Sequence, residues 1–130
     1  MFKNCTLLQE LPESLNNSIA AQACYENTFN GCINLTSTPK IMCKNFYSYC
    51  YSGMFSNCPN ITNITLLCTN INVEGIFNQM FDDNIKYIKG TFTKYEGVNL
   101  DDLIPVGWTV RELSQETGEV VNEYVKHLNN

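Results

Sequence analysis

The chain has 130 residues, 44% of them hydrophobic, and a formal net charge of −5. That length suits one domain with a buried core, the acidity argues against a basic nucleic-acid groove, and no apolar run approaches the roughly 20 residues that span a bilayer as a helix. Seven cysteines and a single His offer neither the even count of a secreted disulfide framework nor a Cys/His spacing suited to zinc.

The N-terminal stretch MFKNCTLLQELPES has one Lys and no long apolar segment, so it does not read as a secretory signal. As written, the chain is expected in the cytoplasm; the alternative is a fragment of a bacterial cell-surface protein. The same stretch opens a repeat. MFKNCTLLQELP from Met1 returns as TFNGCINLTSTP from Thr28, as MFSNCPNITNIT from Met54 and as MFDDNIKYIKGT from Met80. Phe2, Phe29, Phe55 and Phe81 form one evenly spaced column. Cys5, Cys32, Cys58 and Asn84 form a second, and Leu8, Leu35, Ile61 and Tyr87 a third. Upstream of the Phe column, Cys24-Tyr25, Cys50-Tyr51 and Ile76-Phe77 match. A period in the twenties is the mark of a stacked repeat architecture.

Within each period two patterns alternate. NLTST and NITNI alternate polar with apolar or small residues, which predicts a short strand with one buried face. Before the Phe column the spacing is helical. Phe46, Cys50 and Met54 lie on one row, Tyr47, Tyr51 and Phe55 on the next, and Val73, Ile76, Phe77, Met80 and Phe81 repeat the stripe. Ser18 reads as an N-cap. The expected fold class is therefore an α/β repeat solenoid. It comprises about four strand-turn-helix units, each of roughly 26–27 residues, the length scale of leucine-rich repeats. Their strands would lie side by side in a parallel sheet. Residues 1–95 would form the solenoid and 96–130 a C-terminal cap, together one compact domain. In the cap, Leu100, Leu103, Ile104 and Trp108 would cover the open end of the stack. For residues 109–128 a helical stripe and a β-hairpin compete, and the Thr117-Gly118 turn signal favours the hairpin.

Stacking explains the cysteines. Equivalent residues of neighbouring repeats would lie about 4.8 Å apart, so the Cys5 column becomes a ladder of small buried groups donating to turn carbonyls. The rivals are disulfides, which need an oxidising compartment, and a reactive thiol, for which no His lies nearby in the repeats. N-x-S/T triplets begin at Asn4, Asn16, Asn34, Asn60 and Asn63. They would be glycan acceptors only in a secreted eukaryotic protein, and an Asn- and Thr-rich repeat produces them without that role.

The phrasing CYxxMFxxCxxLT with this period resembles the BspA-like leucine-rich-repeat family. The likeness covers about residues 1–95 and is clearest from Cys24 to Ile64. It implies a curved solenoid with parallel strands on its concave side. The family's members are mostly large surface proteins of bacteria and some protists that act in adhesion and protein binding. The implied function is thus a non-enzymatic protein-binding module, working through an exposed solenoid face and the C-terminal cap, with no cofactor and no metal. Asp82-Asp83 and Asp101-Asp102 are adjacent carboxylates that do not converge, and no phosphate loop or catalytic triad is present. Lining up the repeats puts Glu10, Ser37, Asn63 and Lys89 in one exposed column, and Tyr49 is the outward member of a tyrosine cluster; these are the candidate binding residues. The expected partner is another protein, with no direct nucleic-acid contact and no membrane span. The alternative function is a small acidic intracellular inhibitor from a phage or mobile element, anti-CRISPR-like, that blocks a host nucleic-acid enzyme by occupying its basic channel.

Overall fold

The computed structural model describes residues 14–16, 27–43, 51–69 and 79–127. They form one six-stranded sheet in which spatial order follows chain order. The strands are β1 (Ser14–Asn16), β2 (Ser37–Cys43), β3 (Asn63–Cys68), β4 (Thr91–Tyr95), β5 (Thr109–Leu113) and β6 (Val120–Val125). β1 to β5 pair in parallel, and β6 folds back antiparallel on β5.

This architecture corrects the expected α/β solenoid of strand-turn-helix units. Among the described residues there is no α-helix, only two short 3-10 helices at Asp83–Tyr87 and Asp101–Leu103, and the sheet is mixed. The physical reason lies in the Phe-column segments. Asn27, Gly53 and Gln79, one repeat apart, all have left-handed backbone, with φ of 56°, 62° and 50°. A helix cannot run through such a residue. The backbone bonds here also run between repeats instead of along a helix. The N–H of Phe29 donates to Met54 O at 3.0 Å, that of Gly31 to Ser56 O at 3.0 Å, and that of Phe55 to Met80 O at 2.7 Å. Among the described residues each unit therefore contributes a strand and a tight turn, and the turns stack in a column. The stripe residues Phe46, Tyr47, Cys50, Val73, Ile76 and Phe77, and the N-cap at Ser18, lie outside the described residues.

Turns and strands enclose the core. Phe29, Phe55 and Phe81 stack nearly face to face, with centroids 5.4 and 5.9 Å apart. Leu35, Ile41, Ile61, Ile64, Leu66, Phe92 and Val110 fill the space beneath the sheet. Gly53 leaves room for the preceding repeat: a Cβ there would lie 2.2 Å from Asn27 Oδ1, and that side chain would have to move. In β2, Pro39 cannot donate to the ladder. The strand bulges between Ser37 and Lys40, and the Thr38 hydroxyl accepts the Thr65 N–H at 3.0 Å instead.

Towards the C-terminus the period breaks. Phe55 bridges Phe81, its repeat equivalent, but Asn63 pairs with Thr91, two positions beyond its equivalent Lys89. The extra length is absorbed around the 3-10 helix Asp83–Tyr87. Thr91 then pairs with Thr109, and this shorter rung leaves too little chain for another Phe turn. Trp108 plugs the core at this end. It is fully buried, and its indole N–H donates to Ile85 O and Ile88 O at 3.2 and 2.8 Å. Leu100 and Ile104 are buried beside it. Gly90 lets this plug seat, since a Cβ would meet Thr62 O at 2.5 Å and the indole at 2.7 Å. Residues 109–125 are a hairpin turned at Ser114–Glu119, where Gly118 is left-handed with φ of 74°.

Candidate protein-binding face

Because side chains alternate along a strand, the parallel register arranges the outer face of the sheet into rows. The first row runs Ser37, Asn63, Thr91, Thr109 and Val125. The second runs Lys40, Thr65, Thr93, Arg111 and Glu123. The third is apolar, with Met42 beside Leu67 and Tyr95 beside Leu113 and Val120. Leu67, Tyr95 and Leu113 stand four places after Asn63, Thr91 and Thr109; Met42 stands five after Ser37 because of the bulge. The second and third rows line a shallow groove of about 430 Å³ that ends against Gly118 and Val120 of the hairpin. Met42, Tyr95 and Leu113 are half-buried, and Val120 is 43% exposed. The groove thus has an apolar wall, a threonine floor and two cations. Of these, Arg111 lies 3.4 Å from Glu123.

Beneath the outer face the rows are packed. Leu66, Lys94, Glu112 and Asn122 form an inner row. Lys94 is buried and bonds Glu112 at 2.7 Å and Tyr95 O at 3.0 Å. Burial alone would raise the Glu112 carboxyl, but hydrogen bonds from Lys94 and Asn122 and the Lys94 charge hold it below the usual carboxylate value. This ion pair ties β4 to β5, and the Asn122 bond to Glu112 ties β6 to both, which fixes the outer rows. β6 itself is exposed along its length, with Val121, Tyr124 and Val125 at 51, 39 and 41%.

The candidate residues fall as follows. Ser37 and Asn63 are exposed and directly paired in register. Lys89 is exposed but lies outside β4, because the two-place insertion sets Thr91 next to Asn63. Glu10 and Tyr49 lie outside the described residues. The residues that sequence reasoning missed are Lys40, Met42, Leu67, Tyr95, Arg111 and Leu113. Their signal was available in the alternation that follows each polar column residue.

The thiols and asparagines belong to the scaffold. Cys32, Cys58 and Cys68 are buried thiols outside any disulfide. Cys58 Sγ donates to the carbonyl of Phe29 in the preceding repeat at 3.1 Å, and burial pushes its pKa up to about 11. Asn57 Nδ2 donates to Asn30 Oδ1 at 3.0 Å, and Asn60 Nδ2 to Ile33 O at 2.8 Å. Among the described residues no group of three His, Cys, Asp or Glu is placed to hold a metal, and no helix is long and apolar enough to cross a membrane. Comparison with protein-family models, with curated proteins and with solved structures returned no match.

Proposed function

We propose that the protein is a non-enzymatic protein-binding module that holds its partner on the outer sheet face, against the C-terminal hairpin. The observation that carries this reading is the groove formed by the second and third rows. It combines partly open apolar side chains at Met42, Tyr95 and Leu113 with threonines and two cations. An apolar patch rimmed by polar groups is the usual composition of a protein contact surface. The resemblance of the repeats to BspA-like proteins supports the same reading, since that family binds proteins. The inhibitor alternative draws on the acidity of the chain. The outer rows carry Glu123 as their one carboxylate among the described residues, so a charge-driven block of a basic channel would have to use another surface.

The test is capture from a lysate of the natural host with the wild-type chain and with Thr93→Arg, followed by low- and high-salt washes. The expected result is one protein retained by the wild type through the high-salt wash and lost with the variant, whose added guanidinium fills the groove floor. Equal retention by both chains rejects the sheet face as the binding surface. A nucleic-acid-handling protein released by salt from both chains favours the inhibitor reading instead.

A further inference from the structure

The phenyl ladder has an unfilled end. Phe29 and Phe55 each carry another ring on the C-terminal side, at 5.4 and 5.9 Å. Each also sends its backbone N–H to the next turn, to Met54 O and Met80 O. Phe81 has neither. Among the described residues no further ring stacks on it and its N–H has no partner, because the next, shorter rung omits the Phe turn. At that position lies a cavity of about 560 Å³, between the turn at Phe81 and the loop that carries Ile104. Its volume is in the range of ligand-sized sites. Met80, Phe81, Ile85 and Ile104 give it an apolar floor, and Asp83 and Asp102 stand exposed at its rim.

The charge at the rim selects the occupant. Asp82, Asp83 and Asp102 face one cation, Lys86, and Lys86 already lies over the Tyr87 ring at 5.2 Å. The rim is therefore net negative, while the sheet-face groove carries Lys40 and Arg111. An aromatic ring offset-stacked on Phe81 continues the ladder at a favourable spacing. A neighbouring guanidinium or ammonium meets the carboxylates, and a backbone carbonyl beside the ring can accept the Phe81 N–H.

We propose that this slot is a second binding site, separate from the sheet face, for a peptide segment of a partner protein that presents an aromatic residue next to Arg or Lys. The occupant acts as the missing next turn: it supplies the ring, the carbonyl and the counter-charge that the chain itself stops short of providing.

The test is an NMR titration of the full, isotope-labelled chain with three amidated tetrapeptides. Gly-Phe-Arg-Gly is expected to shift the amides of Phe81, Asp83 and Ile104 saturably, while those of Thr93 and Arg111 on the sheet face stay in place. Gly-Ala-Arg-Gly should bind roughly fivefold more weakly, the scale of one lost aromatic pair. Gly-Phe-Glu-Gly should bind about tenfold more weakly, since its carboxylate meets like charge. Asp83→Asn with Asp102→Asn changes exposed side chains only, and should abolish the preference for Arg over Glu while leaving the fold intact. Equal binding of the three peptides, an unchanged preference in the double variant, or no response at Phe81 up to millimolar peptide would each overturn the proposal.

Discussion

The two ends of the described chain solve opposite problems. Among the described residues between Asn27 and Cys68, contacts are copied from one repeat to the next: Asn27 and Gly53 share a left-handed backbone, Phe29 and Phe55 share a stack, and Asn57 and Asn60 bond one repeat back. Between Phe81 and Lys126 nothing can be copied. The rung from Asn63 to Thr91 is longer than the repeat and the rung from Thr91 to Thr109 is shorter, Trp108 plugs the core under the Ile85 and Ile88 carbonyls, and β6 reverses direction. Repeated contacts spread stability along a stack, whereas an end concentrates it in a few groups that have no second copy.

Substitutions should divide along that line. The largest effect is expected at Trp108→Ala, which empties the plug and takes the indole donor away from the Ile88 carbonyl. A loss of about 3–5 kcal/mol in denaturant unfolding is expected, and a change under about 1 kcal/mol would show that the end does not depend on the indole. Next is Glu112→Ala, which leaves the Lys94 charge buried without a partner, at a cost of about 3 kcal/mol. The same residue makes the end acid-sensitive. Its folded carboxyl titrates below its ordinary value of 4.5, so its stabilisation is present above that pH and is lost as pH falls through the folded value. Acid unfolding of wild type and Glu112→Gln, read by circular dichroism, should therefore converge at low pH. Gly90→Ala comes third, at roughly 1–3 kcal/mol, because the new methyl meets a backbone oxygen and the indole; a thermal melt reads it.

In the copied region the effects should be smaller. Phe55→Leu keeps the volume and removes two ring stacks. It should cost about 1–3 kcal/mol, one increment for each stack, and a double-mutant cycle with Phe29→Leu isolates the pair. The thiols give the mildest test. Cys32, Cys58 and Cys68 should stay silent to a disulfide reagent at pH 8 until denaturant is added, with the modified residues identified by mass spectrometry. Burial and the high Cys58 pKa both withhold the reactive thiolate.

The spacing of the repeat was legible in the sequence, because stacked phenyl rings and buried thiols demand the same residue type at each level. The conformation of the unit was not. A column of tight turns buries residues at intervals of three or four, as a helix does, so Tyr51, Met54 and Phe55 imitate a helical stripe. The residues that settle the matter, Asn27, Gly53 and Gln79, share a backbone angle and no chemical identity. The hairpin at residues 109–125 was signalled by Thr117-Gly118. The candidate face was half legible. Ser37 and Asn63 followed from the column, but Lys89 slipped by two places, because Phe81 and Asn84 keep the repeat alignment past the point where the chain lengthens. Met42, Tyr95 and Leu113 keep the alternation that follows each polar column residue, but a bulge, a lengthened rung and a shortened rung, respectively, shift them out of the repeat alignment.

The shortened rung also governs how such a chain can change in length. A duplicated repeat unit inserted ahead of Phe81 would find a matching ring, a matching strand and a matching asparagine above and below it. The same unit inserted after Thr91 would collide with Trp108 and separate Lys94 from Glu112. Length is therefore a free variable on one side of Phe81 and a fixed quantity on the other, and the molecule can lengthen its outer sheet face by recombination without rebuilding its terminus.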